Sequence, residues 1–210
     1  MNSRTTRLIF ASLSLVARLA VPVLANDPSE TPGWEISLSP GAAIPVQDNA
    51  NGLPDGQYKN SFVGQASIIR AISSDIGLGL EGGYSTGHDY DFQLDPFTQY
   101  WLAPSDNVRI AQLTPILELG RWFGTVKPYV ILGGGLYNVK ETVEANFLGY
   151  RYSATQSENF AGANGGVGLL VRVGDHLSLG PDLRYHRIFA GNKGFDFHYV
   201  TTSFRLAFLF

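Results

Sequence analysis

The amino-acid sequence predicts an all-β protein, a closed eight-stranded antiparallel up-and-down transmembrane β-barrel. Charged residues make up only 16% of the 210 residues, against a typical share of about 25%, whereas the chain holds 24 glycines and 12% aromatic residues. Apolar residues recur with a period close to two, which is typical of strands whose two faces meet different surroundings. No apolar run approaches the roughly 20 residues that a transmembrane helix needs.

Strand-like runs follow one another along the chain, separated by turn-rich stretches. They cover about 34–44, 61–72, 76–87, 108–121, 127–140, 161–173, 177–189 and 197–210. The last run shows the alternation clearly, because Phe204, Leu206 and Phe208 share one face while Arg205 lies on the other among small and polar residues. We expect the apolar face to contact lipid and the polar face to line the interior. In the run at 127–140 both faces are apolar or glycine, so its inward face stays unassigned.

The connections between the runs alternate in length. The short turns lie at 73–75, 122–126 and 174–176, and the long polar segments lie at 45–60, 88–107 and 141–160. A last connection at 190–196 is brief. Outer-membrane barrels have tight periplasmic turns and longer extracellular loops, so this alternation favours such a barrel.

The first 25 residues have the layout of a secretory signal peptide. Arginines precede the apolar run 8–17, and small residues precede a cleavage point after Ala25. We expect residues 26–33 to form a short periplasmic lead and residues 34–210 to form the barrel domain. The chain has no cysteine, which excludes disulfides and a lipid anchor attached through cysteine.

The predicted mature chain is acidic. Cleavage after Ala25 removes three of the 15 basic residues and none of the 18 acidic ones, which leaves a formal net charge of −6. The sequence holds no cluster of Lys and Arg, so we expect no nucleic-acid partner. An exported, acidic barrel without cysteine indicates the bacterial outer membrane, with outer-membrane lipid as a partner.

Glycines and aromatic residues recur in a characteristic order. The segments are Lys127–Tyr137 (KPYVILGGGLY), Gly165–Gly168 (GGVG), Leu183–Tyr185 and the terminal Phe210. They resemble the small outer-membrane β-barrel superfamily, the porin-like and surface-antigen group of eight-stranded barrels of Gram-negative bacteria. The resemblance covers residues 34–210 and implies a closed barrel with extracellular loops. It also implies that Phe210 is part of the insertion signal read by the barrel-insertion machinery, and it implies no single activity.

Charged residues on the polar faces of the strands are the candidate interior site. They are Glu35, Glu81, Glu118, Arg172, Asp182, Arg184 and Arg205. Eight strands leave an interior just wide enough for side chains, so we expect an ion-pair network that plugs it rather than a path for ions. Arg205 is expected to pair with Glu35, because the first and last strands meet to close the barrel. Arg184 is expected to pair with Asp182 or Glu118.

The sequence shows no pattern typical of catalysis, cofactor binding or a metal site. His88 lies near Asp89 and Asp91, but no second histidine stands at ligand spacing, so we expect solvated loop residues. A lipid A deacylase would need a serine two residues after a histidine on a late strand, and Ile188 stands two residues after His186. We therefore expect no catalytic, cofactor-binding or metal-binding residues.

Aromatic residues concentrate at two kinds of position. Those near strand ends are expected to form interfacial girdles, and they are Trp34, Tyr84, Trp122, Phe123, Tyr129, Tyr185, Phe189 and Phe210. A second group, Phe97, Tyr100, Trp101 and Leu102, falls in a predicted extracellular loop. Apolar side chains there either form a contact surface or pack against neighbouring loops, and both interpretations stay open.

Three classes of function fit this barrel. The long loops favour a structural or interaction protein that presents them to an extracellular ligand or a host surface. A narrow porin-like channel for ions or small solutes is the first alternative, and an envelope lipid-modifying enzyme is the second. A soluble lipocalin-like barrel would need a charged outer face, and the polar face here has few Lys and Glu residues.

Overall fold

The computed structural model describes residues 33–46, 56–92, 105–147, 150–189 and 196–210. The predicted signal peptide, nearly all of the predicted lead, and the loop residues Phe97, Tyr100, Trp101 and Leu102 lie outside the described residues. The predictions made for those segments therefore stay predictions. Within the part of the chain that the structure describes, no helix has the length and apolar character needed to cross a membrane.

The described residues form strands joined by turns. The strands are β1 (Trp34–Pro45), β2 (Gly56–Tyr58), β3 (Ser61–Ala71), β4 (Ile76–Phe92), β5 (Ser105–Gly120), β6 (Val126–Phe147), β7 (Tyr150–Arg172), β8 (Leu177–Phe189) and β9 (Asp196–Leu209). All but β2 correspond to the predicted runs, and β2 is a short strand that pairs with the far end of β4. The predicted loop at 141–160 was wrong, because β6 and β7 stay paired there.

Neighbouring strands pair antiparallel all the way around a closed ring, which confirms the predicted eight-stranded barrel. The ring runs β1, β3, β4, β5, β6, β7, β8 and β9 and returns to β1. At the seam, the Trp34 amide donates a 3.1 Å hydrogen bond to the Phe210 carbonyl, and the Phe210 amide donates a 2.9 Å bond to the Trp34 carbonyl. The last residue of the chain therefore closes the ring.

The two faces of the wall differ in polarity as the alternation predicts. On β9, Ser203 and Arg205 are buried inside while Phe204 and Phe208 are exposed on the outer wall. Exposed apolar side chains cover the outer wall on the other strands as well, among them Ile36, Leu38, Phe62, Ile68, Leu78, Leu80, Leu113, Leu132, Leu136 and Leu183. This is the arrangement of a barrel in lipid and the reverse of a lipocalin.

Candidate functional site: the barrel interior and the extracellular hairpin

Arg205 is the centre of an ion-pair group near the periplasmic end of the interior. Its guanidinium binds Glu35, donates a 2.7 Å hydrogen bond to Glu118 Oε2, and donates another of 3.2 Å to Ser37 Oγ. Lys127 Nζ lies 2.5 Å from the other oxygen of Glu118. Arg205 is fully buried, so these carboxylates supply the counter-charge that water would otherwise provide.

Arg184 is the centre of a second group, further from the periplasmic turns. It holds Asp182 in a fork, with Nε 2.7 Å from Oδ1 and Nη2 3.2 Å from Oδ2, and its Nη1 binds Glu81. Gln112 donates to Glu81 at 3.2 Å, and the Tyr199 hydroxyl donates to Gln112 at the same distance. Side chains from β4, β5, β8 and β9 are thereby tied together across the interior.

Tyr129 connects the two groups. Its hydroxyl donates a 2.5 Å hydrogen bond to Asp182, and the Arg205 guanidinium lies 4.8 Å from the centre of its ring. The prediction that Tyr129 belongs to an outer girdle was wrong, because the odd-numbered residues of β6 face inward. Gly168 makes this position available, since a Cβ there would lie 2.2 Å from the Tyr129 hydroxyl.

Six of the seven predicted interior residues lie in these two groups, and the seventh lies elsewhere. Arg205 binds Glu35 and Arg184 binds Asp182, whereas Glu118 contacts Arg205 and Lys127. Arg172 stacks over the ring of Trp122, with its guanidinium carbon 4.3 Å from the ring centre. Lys127 was not predicted as an interior residue because both faces of its strand are apolar or glycine, so the sequence does not indicate which face points inward.

An apolar layer lies above the charged groups, toward the extracellular end. It contains Ala43, Tyr58, Val63, Val108, Ile110, Tyr137, Val139, Ile188, Phe197 and Tyr199, all buried. The buried His186 ring stacks on Tyr199 at a centroid distance of 4.4 Å and faces the Tyr137 hydroxyl. A second buried apolar cluster, which includes Ile116, Tyr129 and Ile131, lies outside this layer.

His88 lies inside the barrel, so its predicted place in a solvated loop was wrong. Gly87 has φ of 130° at a bulge in β4, and the shift in register turns both Ser85 and His88 inward. His88 Nδ1 donates to the Lys59 carbonyl at 3.0 Å, and Nε2 lies within hydrogen-bonding distance of the hydroxyls of Ser61 and Ser85, each 3.1 Å away. A neutral imidazole in this position donates through Nδ1 and accepts a hydroxyl proton through Nε2.

Ser61, Ser85 and His88 include the hydroxyl and the imidazole that a nucleophile and its base require, but a substrate could not reach them because they are buried. His88 has no exposed surface, and its ring packs against Phe197 and Tyr199 at centroid distances of 5.8 and 6.2 Å. The cluster therefore ties β3 to β4 rather than offering a hydroxyl to substrate. Among the described residues, no group of three or more His, Cys, Asp or Glu side chains could hold a metal ion.

Asp106 is a buried carboxyl at the extracellular mouth. A tilted strand crosses a membrane in roughly 9–11 residues, and Asp106 is farther than this from the periplasmic end of β5 at Gly120. Asp106 therefore lies outside the membrane-spanning part of β5. Burial raises the pKa of Asp106 to about 7, the Glu141 carboxylate beside it raises the pKa as well, and hydrogen bonding from Tyr58 opposes both. Asp106 is therefore partly protonated near neutral pH.

Asp106→Asn is expected to remove a pH dependence of stability. The folded-state pKa of about 7 lies above the ordinary value of 3.8, so the folded protein binds more protons between these values and loses stability as pH rises through them. The asparagine variant should be about 2 kcal/mol more stable than the wild type at pH 8, a value that includes a discount for screening at the hydrated mouth. Thermal unfolding in detergent from pH 4 to pH 8 measures this, with Asp175→Asn as the control. An unchanged slope in Asp106→Asn would contradict the assignment.

The β6–β7 hairpin continues past the end of β8, whereas on its other side β5 stays paired with β6 as far as Glu144. The two strands pair from Val126 opposite Val171 out to Phe147 opposite Tyr150, whereas pairing of β7 with β8 begins only at Ala161. Hydrogen bonds between outward side chains join its strands, including Asn138 to Asn159 at 2.8 Å and Thr142 to Thr155 at 3.3 Å. Polar residues on both faces made this segment look like a loop in the sequence.

The fold and the polar interior define the class of this protein, an outer-membrane β-barrel. Residues 11–208 match the outer membrane protein beta-barrel domain family, and the chain belongs to that family. A search of curated protein sequences finds no match.

Solved structures of bacterial outer-membrane proteins share the fold. A major outer membrane protein of Thermus thermophilus is similar with a TM-score of 0.56 and 16% identity, over 84% of this chain and 99% of the other. Neisserial surface protein A is similar with a TM-score of 0.50 and 14% identity, over 86% of this chain and all of the other. The N-terminal barrel domain of Pseudomonas aeruginosa OprF has a TM-score of 0.47 and 16% identity, over 85% of this chain and 99% of the other. At these identities the likeness to the first two structures concerns the fold alone.

Proposed function

We propose that this protein is a surface interaction protein, in which a closed barrel anchors the β6–β7 hairpin outside the outer membrane and presents it to an extracellular ligand or a host surface. The observation that carries the proposal is that β7 extends from Ala161 to Tyr150 beyond the point where its pairing with β8 ends. Between Tyr150 and Phe160, the side of β7 that would face β8 has no strand partner among the described residues. An unpaired strand side offers a row of N–H and C=O groups to an extended segment of another protein.

The side chains of the hairpin suit such a contact. Tyr150 and Tyr152 are 82% and 68% exposed, and tyrosine combines an apolar ring with a polar hydroxyl at low cost in conformational entropy. The outward positions of β7 carry Arg151, Ser153, Thr155, Ser157 and Asn159. This composition keeps the hairpin soluble while leaving aromatic rings at its tip. The loop residues Phe97, Tyr100, Trp101 and Leu102 stay a predicted second contact surface.

A variant with a shortened hairpin tests the proposal. Replacing residues 142–155 with Asn-Gly leaves Glu141 opposite Gln156 at a two-residue turn, which preserves the register of the remaining strands. Bacteria that carry this variant at wild-type surface levels should lose adhesion to host cells, and heat-modifiable migration should show an intact barrel. Adhesion equal to that of wild type would contradict the role of the hairpin.

The same proposal predicts that the wild-type protein gives no steady conductance. The Arg184 and Arg205 groups and the apolar layer above them place buried side chains across the interior, and this arrangement opposes the passage of an ion. Planar-bilayer recording of purified protein is the measurement, with a known porin as the positive control. Stable single-channel steps would favour the porin-like alternative.

A further inference from the structure

Two cationic side chains lie directly opposite each other on the outer wall. Arg109 of β5 is in register with Lys140 of β6, and both side chains are exposed. Like charges in directly opposite positions destabilise an antiparallel pair of strands. A negatively charged group bound between Arg109 and Lys140 would therefore relieve the repulsion between them.

No carboxylate of the described residues supplies that charge. Arg109 Nε donates to the Asn107 side chain at 3.1 Å, and Asn107 in turn donates to Asp89 at 2.6 Å. Glu144, on the same face of β6 as Lys140, pairs with Arg151. Within the described ranges, neither Arg109 nor Lys140 forms an ion pair.

The pair lies where the apolar outer wall ends. Leu113 and Leu136 are opposite each other on the same face, two steps nearer the membrane, and are 53% and 63% exposed. Arg109 lies beyond Leu113 toward the extracellular end of β5, at the distance from the periplasmic turn where a strand that spans roughly 9–11 residues leaves the hydrocarbon region. Cations directly above an exposed apolar surface match an amphiphile with an anionic head.

We propose that Arg109 and Lys140 form a binding site for a phosphate-bearing headgroup of an outer-leaflet lipid, whose acyl chains lie against Leu113 and Leu136. The planar guanidinium of Arg109 can donate two hydrogen bonds to phosphate oxygens, and Lys140 adds a point charge from the neighbouring strand. Asn138 lies between Lys140 and Leu136 on β6, and its side chain belongs to the same row of outward-facing residues. This site does not depend on the interaction role proposed for the hairpin.

Binding of diphosphorylated lipid A to purified protein in uncharged detergent tests the site. The unfolding temperature should rise on titration with this lipid. The double variant Arg109→Gln/Lys140→Gln should bind about 30-fold more weakly, which corresponds to about fivefold for each charge removed. The control Arg70→Gln, which removes an exposed outward arginine at the periplasmic rim, should bind as the wild type does.

A charge reversal gives a second readout that does not need the lipid. Lys140→Glu should raise the unfolding temperature in lipid-free detergent, because it places opposite charges across the strands, and it should abolish the response to lipid A. Dephosphorylated lipid A and inorganic phosphate should each leave the wild-type unfolding temperature unchanged. Wild-type affinity in the double variant would overturn the site, and an equal response to inorganic phosphate would overturn its assignment to a lipid.

Discussion

Arg205→Ala is expected to lower the free energy of unfolding by about 3–5 kcal/mol while leaving the barrel closed. The substitution removes the guanidinium that binds Glu35 and Glu118 and leaves these two buried carboxylates to share the charge of Lys127, which lies 2.5 Å from Glu118 and 4.0 Å from Glu35. Backbone pairing around the ring does not depend on this side chain, so the fold should persist with a lower melting temperature.

Two variants distinguish the loss of the buried charge from a general effect of substitution. Arg151→Ala removes an exposed arginine that pairs with Glu144 at 2.6 Å, and it should cost less than about 1 kcal/mol. Arg205→Lys keeps the charge but not the fork, so its stability should lie between those of wild type and Arg205→Ala. Heat-modifiable migration and thermal unfolding in detergent are the measurements. A wild-type melting temperature in Arg205→Ala would refute the interior network.

Deletion of Phe210 is expected to lower the amount of protein in the outer membrane severalfold without lowering its synthesis. The ring is 71% exposed at the outer wall, where the barrel-insertion machinery could read it. The backbone of the same residue exchanges two hydrogen bonds with Trp34 at the seam. The deletion therefore removes both the predicted insertion signal and part of the closure.

Point substitutions separate these two roles. Phe210→Ala keeps the backbone bonds to Trp34 but removes the ring, so a strong loss of membrane abundance in this variant would support the insertion signal. Phe210→Tyr should keep wild-type abundance, because it retains an aromatic terminus. Pulse labelling measures synthesis and membrane fractionation measures abundance. Wild-type abundance in both the deletion and Phe210→Ala would contradict the role of this residue.

The sequence predicts the fold well where lipid and interior impose opposite demands on the two faces of a strand. On β9 the alternation of Phe204 with Arg205 predicts which residues face inward, and the structure confirms it. On β6 both faces are apolar or glycine, so the sequence could not predict that Lys127 and Tyr129 point inward. His88 was misplaced because the bulge at Gly87 reverses the alternation, a change that depends on pairing with β5 rather than on local composition.

The hydrogen bonds between Trp34 and Phe210 have a consequence for how the barrel is made. Trp34 and Phe210 lie at opposite ends of the barrel domain, so pairing of β1 with β9 is the strand contact of greatest sequence separation and cannot form before β9 has been made. Until then β1 and the most recently made strand both present open edges, which are templates for aggregation. An exported chain of this protein therefore depends on protection of these edges until β9 pairs with β1.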